Sequence, residues 1–184
     1  MDDSSPIPIT AASEAKVAFL YNKYLAERAA AQLDDAQLHA SLHPETNSVA
    51  VIMKHVAGNL LSRWTDFLTS DGEKPWRNRD DEFVDSFSSR QELLDYWNSG
   101  WECVAKALDA LTPSDLDATV SIRGESLSVP LAIARSLSHC GYHVGQIVLI
   151  SRILADDHWQ TLTIPRGGSQ KHNAGNWGGE QYRR

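Results

Sequence analysis

Apolar side chains recur every three or four residues along four long segments of the chain, which is the period of an amphipathic helix. The pattern predicts helices from about Thr10 to Leu33, from Thr46 or Asn47 to Asp71-Gly72, from Gln91 to Leu111 and from Pro130 to Ala155. Ser89, followed three residues later by Glu92, gives a capping-box pattern before the third helix. Four such segments predict an all-α protein whose natural architecture is an antiparallel four-helix bundle.

The period changes before the fourth helix and is lost near both termini. From Ala118 to Val129, apolar residues alternate with polar ones around Arg123-Gly124, a pattern typical of a small β-hairpin. Residues 1–9 have the composition of a loose arm, and residues 159–184 show no helical or strand period, which indicates an irregular tail. A length of 184 residues indicates one domain over residues 1–184.

The fourth predicted helix places two histidines on an apolar face. It contains no proline after Pro130, so it can run for about 40 Å. At about 100° per residue, His139 and His143 lie on the same side as Ile147 and Leu154. Histidines spaced i, i+4 can bind one metal ion together. Two core histidines bonded to neighbouring hydroxyl or carbonyl groups fit the same spacing.

A metal site of this kind needs a third ligand, and the sequence leaves its identity open. Of the seven histidines, His55 alone lies inside another long predicted helix. Around the axis of that helix, His55 lies on the same side as polar residues, and the apolar stripe is centred more than about 90° away. This periodicity alone predicts a surface residue. If the helix packs over a wide arc, however, the same polar seam becomes the wall of a site.

Composition restricts the classes of function. A formal net charge of −7 and a pI near 5.4 imply no broad basic surface, so nucleic acid is not an expected partner. No apolar run reaches the length of a membrane span, and the acidic N-terminus lacks the apolar core of a secretory signal. We therefore expect a cytoplasmic protein in which Cys103 and Cys140 are reduced thiols.

Short motifs connect these patterns to a known family. Residues 143–147 read HVGQI, which fits H-x-G-Q-[IL], and residues 164–167 read IPRG. A histidine early in the second helix precedes an HxxxH pair in the fourth helix. In the order and spacing of these features, over nearly the whole chain, the sequence resembles the DinB-like superfamily. The resemblance is to its uncharacterised branch with HxGQ and C-terminal IPRG motifs.

The resemblance implies a function as well as a fold. In that superfamily three histidines bind a divalent metal, often zinc or nickel, between helices and leave coordination positions open. The corresponding residues here are His55, His139 and His143. Members are commonly homodimers, and some are S-transferases or isomerases that use low-molecular-weight thiols. We therefore expect a metal-dependent thiol S-transferase that acts on a small electrophile.

Two polar residues of the fourth helix are candidates for substrate binding. Gln146 lies about one turn beyond His143, where it can bond a metal-bound water or substrate, or simply the backbone. Arg135 lies one turn before His139, where it can hold an anionic substrate group or pair with an acid. No glutamate occupies a convincing general-base position, which favours transfer of an activated thiol over hydrolysis.

A non-catalytic protein is the alternative interpretation. In that case the metal ties the second and fourth helices of a dimeric bundle together, and protein ligands close its coordination sphere. Three imidazoles accept several divalent ions, so the residues alone do not name the metal.

Overall fold

A computed structural model describes residues 11–176, with side chains described as far as residue 172. The helices are α1 (Ala11–Ala30), α2 (Asp35–His39), α3 (Val49–Trp64), α4 (Arg90–Ala110), α5 (Val129–Ala155) and α6 (Ser169–Asn176). The strands are β1 (Thr119–Ile122) and β2 (Glu125–Ser128), and short 3-10 segments lie at Asp81–Phe83, Pro113–Asp117 and Asp156–His158. The predicted arm over residues 1–9 and the last part of the predicted tail, residues 177–184, lie outside the described residues.

The four long helices pack against one another in pairs. α3 contacts α4 and α5, and α1 contacts the same two helices. Buried aromatic rings fill the space between them: Phe19 of α1 meets Trp64 of α3 edge-on at 5.5 Å between centroids, and Trp97 and Trp101 of α4 meet edge-on at 5.1 Å. The prediction of a mostly helical chain with a hairpin before the last long helix is confirmed. The bundle arrangement stays a prediction.

The second long helix of the sequence pattern, α3, is shorter than predicted. Its N-cap is Ser48 rather than Thr46 or Asn47, and the Ser48 hydroxyl accepts a hydrogen bond from the backbone of the first turn. The helix ends at Trp64, well before the predicted end, because Asp66 has a φ of 49°. A left-handed residue cannot continue a right-handed helix. The apolar spacing continues past this point, so the pattern alone could not locate the end.

The hairpin turns at Arg123-Gly124, as the sequence predicts. Both residues have positive φ, 58° and 74°, which is the conformation of a two-residue type I′ turn. The carboxylate of Asp71, in the loop after α3, accepts hydrogen bonds from both of their backbone N–H groups at 2.8 Å. It also accepts one from the Ser121 hydroxyl at 2.5 Å. These bonds attach the hairpin to the end of α3.

The described part of the segment predicted as an irregular tail, residues 159–176, contains one α-helix. α6 (Ser169–Asn176) follows a turn in which Gly168 N donates to Pro165 O at 2.9 Å. Because the helix is short and consists largely of polar residues, no apolar stripe marks it in the sequence. The pattern therefore does not reveal it.

Replacement of Asp71 by asparagine tests the attachment of the hairpin. The Ser121 hydroxyl, followed by the backbone N–H groups of Gly124, Glu73 and Arg123, lowers the pKa of Asp71 well below its ordinary value. Its stabilising contribution is therefore complete above the unfolded-state pKa of about 3.9 and declines as pH falls toward the lowered folded value. We expect Asp71→Asn to lower the free energy of unfolding at neutral pH, measured by urea denaturation. The difference from wild type should shrink below about pH 4.

Asp117→Asn is the matched control for this experiment, because Asp117 is exposed and has no side-chain hydrogen bond to any other described residue. It should leave the free energy of unfolding nearly unchanged at both pH values. A destabilisation by Asp71→Asn that does not depend on pH would contradict the role of the ionised carboxylate.

Candidate metal centre

Three histidine rings meet between α3 and α5. His55 comes from α3, and His139 and His143 come from successive turns of α5. One ring nitrogen from each lies within 4.8 Å of the other two, and the Nε2 atoms of His55 and His139 are 3.2 Å apart. In the part of the chain that the structure describes, this group of three could hold a metal ion.

His55 is buried, although the period of α3 alone predicts a surface residue. Its exposed fraction is 5 %, because α4, α5 and the 3-10 segment Asp81–Phe83 all pack against α3. The Phe83 ring stacks on the His55 ring with the centroids 4.6 Å apart. The connection between α3 and α4 thus covers the polar side of the helix. The sequence left open whether His55 is a surface residue or part of the wall of a site. The structure places it in the wall.

Lys54, the neighbour of His55, fixes the position of this covering connection. Its ammonium group donates hydrogen bonds to the backbone carbonyls of Asp81 at 2.7 Å and Val84 at 3.0 Å. It also donates to the Ser86 hydroxyl at 2.7 Å and pairs with the Asp81 carboxylate at 2.9 Å. A buried ammonium group requires such partners. These bonds keep the segment over α3 at the level of His55.

Glu82 is the main residue of the site that the sequence interpretation missed. Its buried carboxylate lies 2.9 Å from His55 Nδ1 and accepts two hydrogen bonds from Arg77, at 2.7 and 2.9 Å. Gly58 leaves room for this group, since a Cβ atom there would lie 2.6 Å from Glu82 Oε1. A carboxylate on the outer nitrogen of a histidine orients the ring and directs its other nitrogen to the metal. Glu82 is therefore a positioning group, and its occupied oxygens leave no free general base.

The two histidines of α5 lie at the border of the buried face of that helix. The sequence pattern places them on one side of the helix with Ile147 and Leu154, but Ile153, which shares that side, is 52 % exposed. The buried residues are instead centred on Cys140 and its neighbours a turn away. The buried face of α5 is thus turned by part of a helical turn from the predicted one, and it packs against α1 and α3. The rings of His139 and His143 therefore lie beside a cavity rather than inside the core.

Gln146 contacts a histidine ring. The His143 Nδ1 atom lies 2.9 Å from Gln146 Oε1, so the amide fixes the ring and leaves Nε2 toward the other two histidines. The His139 Nδ1 atom is buried and has no hydrogen-bond partner among the described residues. Two of the three rings therefore have a partner that sets their orientation.

The electrostatic environment keeps the α5 histidines neutral. Burial, and then the nearby His143 and His55, lower the pKa of His139 to about 3. Burial also lowers the pKa of His143, although the bond to Gln146 acts in the opposite direction. Burial alone would raise the pKa of Glu82, but the bonds from His55 and Arg77 outweigh it and lower that pKa. The neutral rings of His139 and His143 are in the protonation state that metal binding requires.

The donor set fits a divalent transition metal. Imidazole nitrogen suits zinc and nickel among other ions. In a tetrahedral site two nitrogens bound at about 2.1 Å lie about 3.4 Å apart, so ring nitrogens that lie up to 4.8 Å apart must move closer by up to about 1.4 Å. Three protein ligands leave at least one position for water or substrate, as in catalytic zinc sites.

A cavity of about 370 Å³ adjoins the three histidines. This volume lies in the range of small-molecule sites. Aromatic side chains of Trp64, Phe67 and Phe83 form part of its wall, and Trp64 Nε1 donates to the Ser136 hydroxyl at 3.0 Å. Of the two predicted substrate-binding residues, Arg135 lies in the wall. Gln146 is not among the described residues that line the cavity.

The cysteines take no part in the centre. Cys103 and Cys140 are both free thiols. Cys140 is fully buried, and burial raises the pKa of its thiol to about 12.

Comparison with known proteins places the chain in a family. The family described as "Protein of unknown function (DUF1572)" matches residues 10–168. The chain belongs to this family. The part that matches DUF1572 includes all three histidines, the covering connection and the hairpin. No curated protein and no solved structure matches the chain. Within residues 11–176 of this DUF1572 protein, every helix is too short or too polar to cross a membrane.

Substitution of Glu82 tests its role in positioning His55. We expect Glu82→Gln to weaken zinc binding by about 10- to 100-fold, because the carboxylate no longer orients the ring or raises its basicity. The affinity is measured by competition with a chromophoric chelator. The control is Asp80→Asn, an exposed acidic side chain of the same connection with no hydrogen bond among the described residues. Equal zinc affinity in a folded Glu82→Gln variant and in wild type would contradict this role.

Proposed function

We propose that this chain is a DinB-like four-helix bundle in which His55, His139 and His143 bind one divalent metal ion, zinc or nickel. The convergence of three ring nitrogens from two helices beside a cavity is the observation that carries the proposal. Pairwise packing of α1, α3, α4 and α5 supports the bundle arrangement, and the HxGQ and IPRG motifs support the superfamily.

The activity that we propose is transfer of a low-molecular-weight thiol to a small electrophile. His55, His139 and His143 would hold the ion, which when bound would act as a Lewis acid that lowers the pKa of a thiol. The three histidines hold the ion, while Glu82 and Gln146 keep two of the rings in orientation. Aromatic side chains of Trp64, Phe67 and Phe83 form an apolar part of the cavity wall.

Transfer is favoured over metal-assisted hydrolysis by the absence of an available base. Among the described residues that line the cavity, none is an aspartate or glutamate. Glu82 lies outside this lining and is bonded through both oxygens to His55 and Arg77. A thiolate nucleophile needs no further deprotonation once it has formed, whereas water attack commonly uses a positioned base.

The competing proposal is a non-catalytic dimeric bundle with a structural metal. Structural zinc sites are closed by four protein ligands. The described group contains three, and a cavity lies beside it, which favours the open site.

Metal removal distinguishes the two proposals. We expect one zinc or nickel ion per chain in protein purified without a histidine tag, measured by elemental analysis. Thiol-dependent conversion of 1-chloro-2,4-dinitrobenzene should stop after treatment with EDTA and return with the metal. His143→Ala should lower the rate by more than about 100-fold, since a ligand is lost. His158→Ala, on an exposed histidine outside the cluster, should leave the rate unchanged.

Thiol transfer that continues at full rate in metal-free protein would exclude the enzymatic proposal. A large fall in melting temperature on metal removal, without any thiol-dependent turnover, would instead favour the structural site.

We also propose a homodimer, with contacts through α1 and α5. These two helices pack side by side and carry several large apolar side chains that are 39 to 65 % exposed. The residues are Val17, Leu20, Tyr24, Leu131, Tyr142, Leu149 and Ile153. An apolar surface of this kind is typical of an interaction site.

Leu149→Glu tests the dimer, because a carboxylate in an apolar interface is costly to bury. We expect light scattering to show a dimer for wild type and for Arg152→Gln, an exposed substitution on the same helix. Leu149→Glu should shift the protein toward the monomer. A monomeric wild type at micromolar concentration would refute the dimer.

A further inference from the structure

The cavity beside the histidines is positively charged, although the whole chain has a formal net charge of −7. Four arginines line it: Arg63, Arg79, Arg123 and Arg135. They come from α3, the covering connection, the hairpin turn and α5. Because the described lining contains no carboxylate, the wall presents a local excess of positive charge.

Neighbouring carboxylates leave this charge largely uncompensated. Glu73 is shared by three of the arginines, at 3.2 Å from Arg63, 3.0 Å from Arg123 and 3.9 Å from Arg79. One carboxylate cannot neutralise three guanidinium groups. Arg135 makes no ion pair or hydrogen bond with any other residue that the structure describes.

The arginines differ in how firmly they are held. Arg63 donates a hydrogen bond to the carbonyl of Gly72, and Arg123 is fixed through the hairpin turn and Glu73. Arg79 makes only a long contact to Glu73, its side chain is 47 % exposed, and Arg135 is exposed as well. Arg79 and Arg135 are thus available to bind a ligand. Arg63 and Arg123 are held in place by their hydrogen bonds and contribute a positive electrostatic potential.

The environment of Arg63 also indicates that positive charge in the cavity is not fully compensated. Burial, followed by the charge of nearby Arg77, lowers the pKa of its guanidinium despite the bond to Glu73. A second anion in the cavity would relieve this repulsion, and the planar guanidinium fork matches carboxylate or phosphate oxygens.

We propose that the cavity binds a small dianionic molecule, with its charged groups on Arg79 and Arg135 and its reacting part toward the three histidines. Glu73, counted against Arg63, Arg79, Arg123 and Arg135, leaves three positive charges in excess, which favours a ligand with more than one negative charge. The aromatic wall of Trp64 and Phe83 contacts the uncharged part of the ligand. The placement of the reacting part rests on the proposed function, whereas the binding of the anion does not.

Calorimetric titration of EDTA-treated, metal-free protein tests the anion site by itself. We expect succinate or inorganic phosphate to bind, and the uncharged succinamide not to bind. The affinity should fall as sodium chloride is added, because screening weakens exposed charge pairs. Tighter binding of succinate would assign carboxylate groups to the ligand, and tighter binding of phosphate would assign a phosphate group; either result supports the proposal.

Two variants locate the anion. Arg135→Gln and Arg79→Gln should each weaken the dianion by at least about tenfold, the typical effect of losing a charge-assisted hydrogen bond. Arg152→Gln removes the same charge from an exposed position of α5 outside the cavity and should leave the affinity unchanged. Binding of neither dianion to metal-free wild type would overturn the proposal. So would equal affinities of Arg135→Gln and Arg152→Gln.

Cobalt-loaded protein separates failure of this proposal from failure of the proposed function. We expect mercaptosuccinate to give a cobalt–sulfur absorption band at lower concentration than 2-mercaptoethanol, and Arg135→Gln to remove the difference. If succinate binds metal-free protein but neither thiol reaches cobalt, the anion site stands and thiol transfer fails. If both thiols bind cobalt equally and Arg135→Gln changes nothing, the metal function stands and the anion site fails.

Discussion

A buried carboxylate connects the three histidines to the rest of the structure. Glu82 is 4 % exposed, and an anion in that position is stable only with the hydrogen bonds from His55 and Arg77. The same bonds bring the connection between α3 and α4 over the polar side of α3, where Lys54 holds it. The orientation of the His55 ring depends on this interaction, and burial of His55 also requires the packing of α4 and α5 against α3.

Local pattern predicted the elements well because each is marked within a few residues. The last long helix begins beside Pro130, whose ring fixes φ at a helical value, and the hairpin turns at Arg123-Gly124, where glycine permits the positive φ of the turn. The pair His139 and His143 followed from helical spacing. Their position differs from the predicted one by part of a helical turn, because they border the buried face instead of lying at its centre. The apolar arc of this helix is wide, and the sequence does not show which part of the arc faces a neighbouring helix.

What the pattern could not show comes from contacts between distant segments. His55 lies on a polar stripe, and only a charged connection 27 residues away, which has the composition of a solvated loop, converts that stripe into a wall. Gly58, one turn after His55, is the one local signal, because a glycine inside a helix indicates close approach of another group. The four arginines of the cavity belong to four separate segments, so no stretch of sequence displays their charge together.

The hairpin supplies one part of the cavity wall, and the helices that carry the histidines supply another. Val120, Ser121 and Ile122 of β1 line the cavity, and the hairpin is attached to Asp71 through the backbone of the turn and the Ser121 hydroxyl. Val120 and Ile122 also belong to the hydrophobic core, so a change at either residue would alter the cavity and the core packing together. The shape of the cavity and the stability of the fold are therefore coupled through this short hairpin.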